Sequence, residues 1–146
     1  MPSNVEIVLA LREHFPEDPL ALTREERRAR LEVAFDEVAW PDVKIAMIAP
    51  GGWGQEREGL DGYMDGWDDW LAPFESFHLE FEDYLDAGDS VVVLVRQFAT
   101  PKGGDIPVEN AGAAMFRFRD GRIERIEFHL DRAEAMRSAG LDPDDT

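Results

Sequence analysis

Residues 107–130 read PVENAGAAMFRFRDGRIERIEFHL. Two β-like runs, 107–118 and 122–130, flank the turn RDGR, and an Asp-Gly pair between such runs is a hairpin signal. Toward the N-terminus, the runs 90–99 and 77–86 repeat this texture, separated by KGGD and AGD. Turns this short join antiparallel neighbours. Runs of nine to twelve residues exceed the usual strand of ~5–6, and long strands twist and curl rather than lie flat. A strongly curved, mainly antiparallel sheet is therefore expected.

The segments before it are helical. Ser3 with Glu6 has the spacing of a capping box, and Val5, Val8, Leu9 and Phe15 share a face until Pro16. Thr23 with Glu26 opens a second helix whose Leu31, Phe35 and Val38 point inward. Its REERRAR cluster alternates basic and acidic residues, as an exposed ion-paired face does. In WPDVKIAMIA, Val43, Ile45 and Met47 alternate as in a short strand, and the glycine-rich PGGWGQEREG reads as a loop. LDGYMDGWDDWLAPF then repeats apolar residues at Leu60, Met64, Trp67, Trp70, Leu71 and Phe74, with Asp61, Asp65 and Asp68 on the opposite face. Gly62 and Gly66 lie on one side of this third helix, where another backbone or a ligand could come close. In DRAEAMRSAGL, Asp131 is placed to cap a last helix and Gly140 with Leu141 to end it. Asp131 thus has a structural role and is not the partner of His129. The expected fold is one α+β domain over residues 1–146. It is a cone-shaped barrel of curved sheet with three N-terminal helices on its concave face and a short C-terminal helix.

The bulk properties narrow the function. The chain has 146 residues, no cysteine and a net charge of −17. Without cysteine there are no disulfides, thiolate nucleophiles or cysteine-bound metals. A polyanion is repelled by nucleic-acid phosphates and by anionic membranes. The longest aliphatic run, VVVLV, is far too short to span a bilayer. With no basic n-region at the start, a cytoplasmic protein is expected. From Glu56 to Asp89 there are twelve carboxylates and one cation, Arg57, which reads as a solvated acidic surface.

The order of elements resembles the nuclear transport factor 2-like superfamily, in particular its SnoaL-like, polyketide cyclase-like branch. The likeness is carried by WPDV, DGYMDGWDDWLAPFESF, LDAGDSVVVLVRQ and FRFRDGRIERIEFHLDRAEAMRSAGL, which with the helical N-terminus cover nearly the whole chain. The resemblance implies a cone whose open end is a pocket, and a homodimer through the outer sheet face. It also implies a cofactor-free isomerase, cyclase or dehydratase, or a pocket protein without chemistry. Where the isomerases carry their base, this chain reads NAGAAMFRF, with alanine, glycine and phenylalanine expected inward.

His129 is the candidate catalytic residue. The resemblance turns it toward the cone, and a histidine exchanges protons near neutral pH. The alternative is a packed ring bonded to backbone. Arg96, inside an apolar strand, either orients a ligand oxygen or forms an ion pair with Glu109 or Glu80. Trp40, Trp53, Trp67 and Trp70 fall in the part that roofs the cone. Of these, Trp40, Trp53 and Trp70 are expected, with Arg96 and Glu109, to contact a small apolar substrate. No cofactor or metal is expected: Asp61, Asp65 and Asp68 share one helix, whereas hard cations draw ligands from several segments. Three readings remain open: an acid–base enzyme acting on an apolar carbonyl or enol compound, a non-catalytic binder, or an interaction module. Convergence of two polar groups inside the pocket separates the first two.

Overall fold

Ser3 accepts a hydrogen bond on its hydroxyl from the Glu6 amide at 3.1 Å and starts helix α1, Asn4–Glu13. Thr23 and Glu26 form the full reciprocal capping box that starts α2, Arg24–Val38. These and the following elements come from a computed structural model that describes residues 3–49 and 54–145. Strand β1 is Ala39–Ile48, β2 Glu56–Glu58, helix α3 Gly59–Leu71, and strands β3 to β6 are Phe74–Asp86, Ser90–Pro101, Val108–Arg119 and Arg122–His129. Helix α4, Arg132–Ser138, closes the domain. None of the described helices is long and apolar enough to cross a membrane.

The strands form one sheet in the order β2-β1-β6-β5-β4-β3, antiparallel throughout except for the parallel pair β1–β6. β2 corrects the sequence reading. Three residues of the expected loop pair with β1 through Lys44, Ile45 and Ala46, a stretch too short to carry its own periodic signal. The register slips within β3, near the start of β6 and along β1. Such bulges bend long strands and increase their twist, so the sheet curls into an open cone. At the β5–β6 turn Asp120 and Gly121 both have positive φ, 52° and 79°, as the expected Asp-Gly hairpin requires.

Alternation along the strands defines two faces. Val43, Ile45, Val91, Val93, Phe116 and Ile126 turn to the concave side and pack with Leu11, Leu31, Met64 and Trp67 of helices α1 to α3. Val92, Ala113 and Met115 turn to the convex side, where Ala135 and Met136 of α4 cover them. α4 is held at both ends. Asp131 accepts from the Ala133 amide at 2.8 Å, and the Leu141 and Gly140 amides return to Met136 and Arg137 at 2.8 and 3.0 Å. With Gly140 at φ 81°, this is a Schellman ending.

The basic face of α2 finds its partners on α3 rather than along its own helix. Arg24 pairs with Asp65 and Asp68, Arg27 with Asp68, and Arg28 with Asp61. Gly62 and Gly66 prove to be sites of backbone and strand approach. A Cβ at Gly62 would meet Arg57 at 2.9 Å, and one at Gly66 would meet Met47 at 3.3 Å.

Candidate ligand cavity

Between the helices and the concave face lies a cavity of about 50 Å³. Its walls are Val8, Leu11 and Phe15 from α1, Tyr63, Trp67 and Trp70 from α3, and Leu79, Val93, Val95, Ala114 and Phe128 among the sheet residues. The aromatic rings set its shape: Trp67 lies 4.9 Å, centroid to centroid, from both Phe15 and Phe128, and Tyr63 5.9 Å from Phe128. Burial pushes the Tyr63 hydroxyl pKa up, opposed by the neighbouring Trp67 indole, so the group stays a neutral phenol at physiological pH. At one edge the Arg12 guanidinium lies over the Phe81 ring, 4.5 Å from its centroid.

Trp70 and Gln97 form the neck. The indole Nε1 donates to Gln97 Oε1 at 3.2 Å, and the same two side chains border a second, outer cleft of about 400 Å³. That cleft is lined by Pro73, Phe74, Ala99, Val108 and Leu130, with Asp69 and Asn110 as further polar groups. Asn110 stands beside Gln97 across the β4–β5 ladder and donates to the Leu130 carbonyl at 3.2 Å. Two neutral amides and an indole therefore converge where the inner chamber meets the outer cleft.

The structure separates the residues expected to form a site. Trp70 is at the neck, and Trp67 walls the inner chamber. Trp40 stands at the β5–β6 turn instead. Its indole donates to the Arg119 carbonyl at 2.8 Å, and Arg119 and Arg122 lie 4.8 and 5.3 Å from the ring centroid. Trp53 lies outside the described residues. Arg96 and Glu109 face away from the cone, because they alternate with the inward Val95, Gln97 and Asn110. They pair with each other at 2.8 Å, and Arg96 also bonds Glu82 at 3.3 Å. Glu80 is opposite Arg96 in register, but the bulge near Phe81 brings Glu82 into reach.

His129 also faces away from the concave side. Ile126 and Phe128 take the cone side of β6, so strand alternation sends Glu127 and His129 toward α4. His129 Nε2 lies 2.8 Å from Glu127 Oε1, and its Nδ1 lies 3.9 Å from Glu134 Oε2 on α4. Ser138 of α4 donates to the same Glu127 oxygen at 2.8 Å, and Arg125 bonds the other at 2.6 Å. His129 and Ala113 touch the cavity wall, and with their side chains on the α4 side this contact is through backbone. Burial alone would raise the Glu127 pKa. The hydrogen bonds from His129, Arg125 and Ser138 outweigh it and hold the carboxyl at about 2. An ionised carboxylate only accepts, so His129 Nε2 donates.

The neck was readable in part. Inward Val93 and Val95 extend by twos to Gln97, and inward Gly112 and Ala114 extend back to Asn110. The arginine next to Gln97 drew attention because it is charged, although it belongs to the other face.

A model of the SnoaL-like domain matches residues 20–126. The chain belongs to the SnoaL-like domain family. No curated protein matches it. Among solved structures, this SnoaL-like chain is similar to a nuclear transport factor 2-like protein of unknown function from Burkholderia pseudomallei. The two share 21% identity over 90% of this chain and 95% of the other, with a TM-score of 0.59. It is also similar to TerC, co-crystallised with polyporic acid, at 20% identity over 94% and 98% of the chains and a TM-score of 0.60. A Catenulispora acidiphila protein with a ketosteroid isomerase-like fold, in complex with trimethylamine, is 20% identical over 76% and 83% of the chains, with a TM-score of 0.52. At these identities the likeness concerns the fold. In the NAGAAMFRF stretch, the SnoaL-like chain turns Gly112, Ala114 and Phe116 inward.

Proposed function

We propose that this protein binds one small, uncharged and largely apolar molecule in the cone. The observation that carries this reading is an aromatic inner chamber that borders an outer cleft at the hydrogen-bonded, neutral Trp70–Gln97 pair. Apolar walls with a few placed polar atoms are the usual build of a small-molecule site. Proton transfer by His129 has less support, because its ring is engaged by Glu127 and turned toward α4. A general base must come within hydrogen-bond reach of the proton it takes. The test is equilibrium dialysis against 2-ethylnaphthalene, with wild type compared with Ala114→Phe, which fills the inner chamber. Saturable binding at one site per chain, lost in Ala114→Phe without loss of the folded state, is expected. Absence of saturable binding to the wild type overturns the reading.

A further inference from the structure

We propose that Gln97 reads the polar atom of the ligand, and that Trp70 is the gate that gives Gln97 up to it. The inference rests on the binding reading above and adds to it the ligand's chemistry and its route of entry. The inner chamber, at about 50 Å³, has room for a few waters but not for a two-ring molecule. Access to the larger outer cleft passes the Trp70–Gln97 hydrogen bond, so this contact must open for a ligand to occupy both spaces.

Trp70 has somewhere to go. On its other flank lies a third space of about 200 Å³, bordered by Met47, Arg57 and Gly66. Gly66 is one turn earlier on the same helix and leaves that side without a side chain. The bond to be broken joins two neutral groups, and such bonds are weak net of their exchange with water.

Gln97 is 8% exposed on a wall otherwise made by Val93 and Val95. A buried amide that loses its partner is unfavourable, so a ligand that displaces Trp70 must satisfy Gln97. The atom that Trp70 gives up is Oε1, an acceptor, so the ligand must bring a donor in place of the indole N–H. A hydroxyl is the uncharged oxygen group that can both donate to Oε1 and accept from Nε2. Gly112 makes space for that amide, since a Cβ there would lie 3.0 Å from Gln97 Nε2. The neck carries no formal charge, Asp69 borders the outer cleft, and the Arg12 guanidinium lies at the chamber's edge over Phe81, so a ligand carboxylate at Gln97 would be desolvated without a cation to meet it. The ligand class is therefore an uncharged ring compound bearing a hydroxyl.

Three probes of similar shape test this: 2-naphthalenemethanol, 2-ethylnaphthalene and 2-naphthoate, titrated by calorimetry into wild type and Gln97→Leu. Wild type should prefer the alcohol to the ethyl compound by about tenfold, one neutral hydrogen bond's worth, and should bind the carboxylate weakest. Gln97→Leu should abolish the alcohol preference while retaining the ethyl compound. Stopped-flow mixing should show faster association of both neutral probes with Trp70→Phe, which lacks the indole N–H. An alcohol preference that survives in Gln97→Leu, or equal binding of all three probes by wild type, overturns the role of Gln97. An association rate unchanged in Trp70→Phe overturns the gate. Failure of every probe to bind any of these proteins overturns the pocket reading itself.

Discussion

His129 donates from Nε2 to Glu127 Oε1 at 2.8 Å, and the two residues stand side by side on β6, both buried beneath α4. The contact ties a strand to a helix through Ser138, which bonds the same oxygen. A histidine in this setting holds a carboxylate in place.

His129→Leu should therefore destabilise the fold by about 1.5–3 kcal/mol at pH 7, the range for a hydrogen bond to a charged group. The Glu127 pKa falls from about 4.3 unfolded to about 2 folded. Its stabilisation is thus present above about pH 4.3 and is lost as pH falls toward 2. In His129→Leu the folded pKa rises, so the same loss is complete at higher pH. Urea unfolding from pH 7 to pH 2 checks this; a gap between the proteins that stays constant with pH would contradict it.

Asp131→Ala should cost about 1 kcal/mol through loss of the α4 cap and leave probe binding intact. Thermal melting together with calorimetric titration separates the two. Lost binding with an unchanged melting temperature would assign Asp131 to the ligand instead.

Arg27 and Arg28 are neighbours with different surroundings. Arg27 is 8% exposed and bonds the carbonyls of Pro19 and Leu22 as well as Asp68. Removing it leaves buried acceptors unpaired, and Arg27→Ala should cost about 2–4 kcal/mol. Arg28 meets Asp61 in solvent, where an ion pair is screened, so Arg28→Ala should leave the urea midpoint within error. Equal effects would show that the α2–α3 ion pairs act as one network.

We propose that two copies associate through the outer sheet face. This face carries Arg96, Glu82 and Glu109, paired in a chain of contacts that ends on Arg132 of α4. These pairs are closed within one chain and each copy carries −17, so the copies repel and salt should favour association by screening. Light scattering at micromolar protein should give a dimer mass whose share grows as salt is added. A monomer at every ionic strength, or a dimer that salt dissociates, would contradict this.

The locally encoded features were legible in the residues. Ser3, Thr23 and Asp131 start helices because their side-chain oxygens reach amides two or three residues on. Asp120–Gly121 makes a hairpin because its backbone needs positive φ. Long alternating runs announced the curved sheet. A period of two states which residues share a face, but not which face looks into the cone. Tertiary packing decided that: α1 to α3 cover the larger apolar set, Ile126 and Phe128 on β6, and α4 takes the face that holds Glu127 and His129. The same rule turned Gln97 inward and Arg96 outward, and brought Arg24, Arg27 and Arg28 to aspartates on a different helix. Contacts between residues far apart in sequence have no local signature, so the neck between Trp70 and Gln97 exists only once helix and sheet are packed together.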